Sequence, residues 1–158
     1  MIIREAKLTE LDQAYMMGFE TWGEGSTEEE YLNECRSSSK YEMGTWYVLE
    51  KEEALTSSLI VYENTFELPE NCVGIGSVAT PAEHREKGCA SALIKEVISI
   101  YKKVGKEAIY LFSDIEPKFY EKLGFVPIII EQPYKESCCM VNVLQINSRL
   151  SSYAPKYF

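Results

Sequence analysis

The stretch from Val73 to Val104 constrains the fold of this chain more than any other. An apolar, β-prone segment, Cys72 to Thr80, leads into a polar loop, Ala82 to Lys87. From Gly88 onward, apolar residues recur at the i, i+3, i+4, i+7 spacing that is typical of a helix with one buried face. The residues on this stripe are Ala90, Leu93, Ile94, Val97, Ile98, Tyr101 and Val104. Gly105 then provides a C-terminal stop, so the stretch predicts a strand, a loop and a long helix.

The start of this predicted helix has the features of an anion site. The first N–H groups of a helix have no intrahelical partner, and they carry the positive end of the helix dipole. Small residues there let an anion come close to the backbone. The motif is Arg85-x-x-Gly88-x-Ala90, and Lys87 adds a second positive charge. We interpret it as a pyrophosphate-binding loop, and the physics alone does not say which pyrophosphate ligand it serves.

Length and charge narrow the class of protein. A chain of 158 residues is long enough for one domain with a sizeable core, and we predict a single domain over residues 1–158. There is no run of 18 apolar residues and no signal-like segment at the N-terminus, so we expect no membrane span and a cytoplasmic location. The net charge of −9 disfavours nucleic acid as a partner and favours a cationic one, such as an amine.

The cysteines and the histidine count argue against disulfides and metal. The five cysteines are odd in number and form no CxxC pair, which is unlike a disulfide framework or a zinc site. His84 is the only histidine. We therefore expect reduced, mostly buried thiols and no metal site.

The rest of the chain predicts alternating strands and helices. Strands are predicted at residues 1–6, 45–50, 54–62, 72–80, 107–112, 125–130 and 138–146, and helices at 9–22, 27–35, 88–104 and 118–123. Thr9 with Asp12, and Thr27 with Glu30, have the spacing of capping boxes. Residues 36–44 are predicted to be a loop, and the tail 147–158 gives no clear signal. The order is β-α-α-β-β-β-α-β-α-β-β, which indicates a mixed α/β (α+β) domain.

One further pattern resembles a dinucleotide-binding fingerprint but lacks its context. Gly74-x-Gly76-x-x-Ala79 has the required spacing, yet the glycines lie inside a predicted strand and no helix can readily start before Pro81. Glycines in a strand indicate a bulge or a close backbone approach instead.

Two motifs together carry a resemblance to a known family. The first is Arg85-x-x-Gly88-x-Ala90 between a strand and a helix, and the second is the FYEKLGF segment from Phe119 to Phe125. With the element order, they resemble the GCN5-related N-acetyltransferase (GNAT) superfamily over the whole chain. The resemblance implies a mixed, twisted sheet of about seven strands with helices on both faces. It also implies that the fourth and fifth strands splay apart.

The resemblance also implies acetyl-CoA as the cosubstrate. The pantetheine amides would pair with the fourth strand, and the pyrophosphate would lie on backbone amides at the helix start. The implied cofactor-binding residues are Val78, Ala79, Thr80, Arg85, Glu86, Lys87, Gly88, Cys89, Ala90, Ser91 and Ser113. Two positions depart from the common pattern, because Glu86 stands where the family often has Gly and Cys89 replaces a frequent apolar residue. A carboxylate beside a pyrophosphate is unfavourable unless it points outward.

Tyr120 and a carboxylate are the candidates for proton transfer. The resemblance implies that Tyr120 protonates the departing thiolate, and the alternative is a tyrosine that only packs on a short helix. The base is open among Glu20, Glu24 and Asp114, with Glu24 as our candidate. Asp114 can instead cap the following helix, and the two glutamates can instead lie on a solvated face.

The predicted function is therefore an N-acetyltransferase, with no metal, that transfers acetyl from acetyl-CoA to a primary amine. The amine would be a small molecule or lysine-like, and transfer would be direct in a ternary complex. The alternative is a GNAT-fold module that binds acyl-CoA without catalysis, as a sensor or interaction domain. The aromatic tail, residues 153–158, can pack on its own domain or on a second copy in a homodimer.

Overall fold

The structure is a computed structural model that describes residues 1–128, 137–146, 150 and 153–158. The strands are β1 (Ile2–Glu5), β2 (Gly44–Lys51), β3 (Ala54–Glu63), β4 (Cys72–Ala79), β5 (Ala108–Ser113), β6 (Val126–Pro127) and β7 (Cys138–Val143). The helices are α1 (Leu11–Met16), α2 (Phe19–Trp22), α3 (Glu28–Ser37), α4 (Ser39–Glu42), α5 (Cys89–Lys103) and α6 (Pro117–Glu121). Short 3-10 turns cover Leu8–Glu10 and Ala82–His84.

The described strands form one open, seven-stranded sheet in the order β1-β2-β3-β4-β5-β7-β6. Within it, β1 pairs antiparallel with β2, and β7 pairs antiparallel with both β5 and β6. The β4–β5 pair is parallel, with a register that runs from Cys72–Ala108 to Ile75–Leu111. The prediction of an α/β fold around a mixed sheet of about seven strands is thus confirmed. The predicted splay of β4 and β5 stays a prediction.

The chain packs as two compact units. The first contains residues 1–61 and 77–96, and the second contains residues 62–76 and 97–158. That residues 1–158 form one domain stays a prediction.

In the first unit, helix α1 contacts strand β3 through a buried polar contact and strand β2 through an aromatic cluster. The Ser58 hydroxyl donates to the Ala14 carbonyl at 3.1 Å, and both residues are buried. The Trp46 ring meets Tyr15 and Tyr41 edge-on, with centroids 5.3 and 5.0 Å away. Because α1 is held in this way, the chain that follows it has a defined starting position.

In the second unit, the C-terminal residue fills a space that a glycine leaves open. Phe158 is 6% exposed, and its ring centroid lies 5.2–5.7 Å from those of Tyr62, Phe66 and Phe112. A Cβ at Gly74 would lie 2.5 Å from Phe158 Cζ. Gly74 therefore permits a close approach, as its place inside a strand predicted. The end of the tail packs on its own unit.

The first helical segment begins earlier than predicted. Thr9 is not its cap, because a 3-10 turn starts at Leu8 and the Glu10 carboxylate accepts the Lys7 N–H at 2.8 Å. The same carboxylate accepts two hydrogen bonds from Arg4, at 2.8 and 2.9 Å. The ion pair with β1 thus fixes where this segment starts.

The predicted helix over residues 9–22 is also broken at Gly18. Helix α1 ends at Met16, and α2 starts after Gly18. A Cβ at Gly18 would meet the Trp22 ring and would lie 2.9 Å from the Tyr31 hydroxyl oxygen. Two aromatic side chains therefore occupy the space beside this glycine, which a local pattern does not reveal.

The segment predicted as a loop over residues 36–44 is largely helical. Helix α3 continues to Ser37, and Ser38 caps the short helix α4 by accepting the Tyr41 N–H at 3.2 Å. The serines that suggested a loop act as a cap instead. The predicted capping box at Thr27 is confirmed in its first half, because Thr27 Oγ1 accepts the Glu30 N–H at 3.1 Å.

The last two strands are shorter than predicted. Strand β6 covers only Val126–Pro127, and residues 129–130 of the prediction lie outside the described residues. Strand β7 ends at Val143 rather than at residue 146.

In the part of the chain that the structure describes, no helix is both long and apolar enough to cross a membrane.

Candidate functional site

The loop between β4 and α5 combines left-handed backbone with free helix-start amides. Glu86 and Gly88 have φ values of +61° and +79°. The first hydrogen bond of the helix runs from the Ala92 N–H to the Gly88 carbonyl, at 3.0 Å. The N–H groups of residues 89–91 precede it, so they lie outside the intrahelical ladder. The loop therefore ends in a group of backbone donors at the positive end of a 15-residue helix.

The space in front of this helix fits an anion. A Cβ built on Gly88 would have nothing within 4 Å, so the approach to the first turn is open. Cys89 is buried, which directs its thiol into the core rather than toward this approach. Glu86 is exposed to solvent. The residues present are thus compatible with a pyrophosphate on the helix start.

The end of β4 is held by a side chain that the sequence did not single out. Ser57 on β3 is buried, and its hydroxyl donates to the Ala79 carbonyl at 3.0 Å. It also lies 2.9 Å from Thr80 Oγ1. Nothing in the local sequence around Ser57 signals this role.

Both cations of the loop are engaged with acceptors of the chain itself. Arg85 donates from Nε to the Thr80 carbonyl at 2.9 Å and from Nη2 to Glu20 Oε2 at 3.2 Å. Lys87 Nζ donates to the Glu83 carbonyl at 2.7 Å. The Arg85–Glu20 pair is about half exposed on both sides, so its contribution to stability is small. Arg85 thus fastens the loop to the end of β4.

A pocket of about 440 Å³ lies beside this loop, within the first unit. It is lined by Gln13, Met16, Met17, Phe19, Glu20, Glu28, Leu55, Pro81, Glu83 and His84. Of the two glutamates suggested as a base, Glu20 is in this lining. Glu24 is exposed in the turn between α2 and α3 and is not among the described lining residues.

A polar contact inside β4 is a second feature that the sequence did not predict. Ser77 has φ of +48° within the strand, and its hydroxyl donates to the Tyr41 hydroxyl oxygen at 3.3 Å. Tyr41 lies in α4, in the segment predicted as a loop. Non-glycine residues at positive φ are uncommon and occur often at functional sites.

Tyr120 lies on α6 in the second unit and is 8% exposed. Its ring packs edge-on against Phe119 and Phe125, with centroids 5.0 and 6.2 Å away. Burial, and secondarily the charge of Asp114, raises the pKa of Tyr120 to about 12. The phenol is therefore fully protonated at neutral pH.

The side chains of Ser113 and Asp114, at the end of β5, form hydrogen bonds and do not cap the helix that follows. Asp114 accepts hydrogen bonds from the Ser137 hydroxyl and, at 3.4 Å, from the Tyr157 hydroxyl. The N-cap position of α6 is Glu116, so the reading of Asp114 as that cap is wrong. Ser113 is buried, and its hydroxyl donates to the Ile115 carbonyl at 2.7 Å.

The cysteines and the other residue types that bind metals form no metal-binding group in the described part of the chain. All five thiols are free, and four of them are buried. Among the described residues, no group of three His, Cys, Asp or Glu side chains could hold a metal ion.

Comparisons with known proteins agree with this architecture. Residues 2–128 match the family described as "Acetyltransferase (GNAT) domain". Among solved structures, a GNAT family N-acetyltransferase from Escherichia coli in complex with CoA is 16% identical, with a TM-score of 0.69, and the match covers 99% of this chain and 86% of that one. The ribosomal-protein-S18-alanine N-acetyltransferase from Escherichia coli is 15% identical, with a TM-score of 0.68 over 93% and 96% of the chains.

A third similar structure is an aminoglycoside 6'-acetyltransferase type Ii, at 17% identity and a TM-score of 0.68, with 93% of this chain and 99% of that one covered. A comparison with curated proteins finds no match. These structural likenesses show the fold, and the family match covers well over half of the chain. The chain therefore belongs to the GNAT acetyltransferase family.

Proposed function

We propose that the protein is an N-acetyltransferase that transfers an acetyl group from acetyl-CoA to a primary amine. The observation that carries the proposal is the start of α5, where left-handed Gly88 opens the approach to the free N–H groups of residues 89–91. In a member of this family, such a group of donors suits the pyrophosphate of CoA. The backbone of residues 78–80 would pair with the pantetheine amides.

The reaction requires that the nitrogen of an ammonium substrate lose two protons in all and that the departing sulfur gain one. The amine nitrogen attacks the thioester carbonyl carbon, so a C–N bond forms and the C–S bond breaks. A simple alkyl ammonium with a pKa of about 10.4 is only about 0.04% neutral at pH 7, so a base or water must take its proton. We propose Glu24 as this base. Glu20, which lines the pocket, is the second candidate.

Tyr120 would act on the departing sulfur. A phenol with a pKa of about 12 lies about 3.5 units above a thiol at about 8.5, so complete proton transfer would cost about 5 kcal/mol. Donation of a hydrogen bond to the developing thiolate avoids most of this cost and is worth about 1.5–3 kcal/mol. Tyr120 would therefore stabilise the leaving group as a hydrogen-bond donor, and the thiolate would take its proton from solvent late in the reaction.

A panel of amines tests this function. The purified protein is incubated with acetyl-CoA and each amine, and mass spectrometry follows the acetylated product, because the protein's own thiols would react in a thiol assay. We expect at least one primary amine to be acetylated in amounts that increase with enzyme concentration, and heat-denatured protein is the control.

A second candidate function, an acyl-CoA-binding module without catalysis, is favoured by one observation. Glu86 places a carboxylate in the loop proposed to bind the pyrophosphate. Calorimetry separates the two functions. Binding of acetyl-CoA without any acetylated amine across the panel would support the module, and the absence of both would contradict both functions.

A further inference from the structure

The pocket in the first unit combines an apolar interior with acidic groups. Met17 and Leu55 are 5% and 8% exposed, and Met16 and Phe19 add further apolar lining. A volume of about 440 Å³ falls in the range of about 300–1,000 Å³ that is common for small-molecule sites. Flexible methionines can adapt to an alkyl chain, so the interior suits a short aliphatic segment.

The acidic groups of this pocket are not equivalent. Glu20 is already paired with Arg85. Within the described part of the chain, Glu28 and Glu83 have no ion pair with a lysine, an arginine or a histidine. Lys87 approaches Glu83 only at its backbone carbonyl. Two carboxylates therefore remain to meet a cation at the pocket.

These carboxylates suit an ammonium group that does not react. A nitrogen that attacks a thioester must lose its proton, whereas nearby carboxylates favour the protonated form of an amine. Glu28 and Glu83 would therefore suppress the nucleophile if they paired with the reactive nitrogen. They would instead strengthen binding if they paired with a second nitrogen of the same molecule that stays protonated during the reaction.

We propose that this pocket binds the non-reacting ammonium group and alkyl chain of an aliphatic diamine, through Glu28 and Glu83. The inference rests on the proposed amine acetylation, because it names the acceptor as a molecule with two amino groups. The pocket is also suitably placed, since its lining residue Pro81 directly follows Thr80, the last residue proposed to pair with pantetheine.

Direct binding tests the pocket without relying on catalysis. Calorimetry measures the dissociation constants of 1,5-diaminopentane, 1-aminopentane and 1,5-pentanediol for the protein, with and without CoA. We expect the diamine and the monoamine, which can each place one ammonium group and an alkyl chain in the pocket, to bind about 10-fold more tightly than the diol. Equal affinity for diamine and diol would overturn the proposal.

Matched variants distinguish diamine binding in the pocket from attraction by the overall negative charge of the protein. Glu28→Gln and Glu83→Gln are each expected to weaken diamine binding about 2- to 5-fold, as for partly exposed ion pairs. Glu29→Gln is the control, because Glu29 lies in the same helical turn but outside the described lining. Gln13→Arg places a fixed cation at an exposed pocket position and should abolish diamine binding. An equal effect of Glu29→Gln and Glu28→Gln would contradict the proposal.

Activity distinguishes failure of this inference from failure of the proposed function. If the diamine binds as expected but neither it nor any other amine of the panel is acetylated, the pocket stands and the acetyl-transfer function falls. If amines are acetylated with a KM that Glu28→Gln, Glu83→Gln and Gln13→Arg leave unchanged, the function stands and the pocket proposal is wrong.

Discussion

Glu86 offers the sharpest test of the proposed CoA loop, because its backbone and its charge can be changed separately. Its φ of +61° is left-handed, which costs a non-glycine residue about 1–2 kcal/mol. Glycine removes this cost but adds about 0.4–1 kcal/mol of unfolded-state freedom. The side chain is exposed, and the described residues give it no hydrogen bond or ion pair. Glu86→Gly should therefore raise the free energy of unfolding by about 0–1.5 kcal/mol.

The charge of Glu86 should affect acetyl-CoA binding separately. At about 8 Å and an effective dielectric constant of about 40–80, two unit charges interact by about 0.5–1 kcal/mol. Removing the carboxylate should therefore tighten binding about 2- to 5-fold, and the gain should shrink as salt screens it. Glu86→Gln removes the charge but keeps a side chain at the left-handed position, so it should change affinity without changing stability.

The assay combines urea unfolding with calorimetry of acetyl-CoA binding at about 50 and 300 mM salt, where the Debye length falls from about 14 to about 6 Å. Glu96→Gln is the control, because it removes an exposed carboxylate of α5 outside the loop. An affinity unchanged in Glu86→Gln would show that no pyrophosphate lies near this residue. A loss of more than about 1 kcal/mol of stability in Glu86→Gly would refute the left-handed backbone argument.

Three further predictions address the leaving group, the acid response and the packing of the tail. Tyr120→Phe should lower kcat about 10- to 100-fold in a steady-state assay while leaving the Kd of acetyl-CoA nearly unchanged, and unchanged turnover would remove Tyr120 from the reaction. The hydrogen bonds from Arg4 hold the pKa of Glu10 at about 2, below its ordinary 4.5, so their stabilisation is present above about pH 4.5 and is lost as the pH falls toward 2. Urea titrations should find this acid-dependent loss reduced in Glu10→Gln, and an identical pH profile would contradict the assignment. Gly74→Ala should lower the free energy of unfolding by about 1–3 kcal/mol, because the added Cβ would displace Phe158. In a Phe158→Ala background, most of this loss should disappear in urea unfolding. An equal loss in both backgrounds would mean that the two residues do not touch.

Local sequence patterns predicted the helices whose start, end and buried face depend on residues only a few positions apart. The apolar stripe after Gly88 became α5, and Gly105 has left-handed backbone after this helix, with φ of +89°. Thr27 caps α3 as its spacing predicted. These signals work because a helix is specified by periodicity and by caps within a few residues.

Side-chain contacts that form only on folding decided where local patterns failed. The first predicted helix is interrupted at Gly18, where Trp22 and Tyr31 occupy the space that a side chain would need. The first helical segment starts at Leu8 rather than after the predicted cap Thr9, and Glu10 of this segment pairs with Arg4 on β1. Neither effect leaves a trace in the local pattern, since each depends on which side chain meets the backbone after folding.

The sequence alone determined the family, the strand–loop–helix unit and the position of the loop that is proposed to bind CoA, because these depend on residue types at fixed short spacing. Only the tertiary structure decided that Ser57 holds the end of β4 and that Glu28 and Glu83 line one pocket. It also decided that Phe158 fills the space beside Gly74. Each of these contacts joins residues far apart in the chain, and packing, rather than local propensity, selects which of them meet.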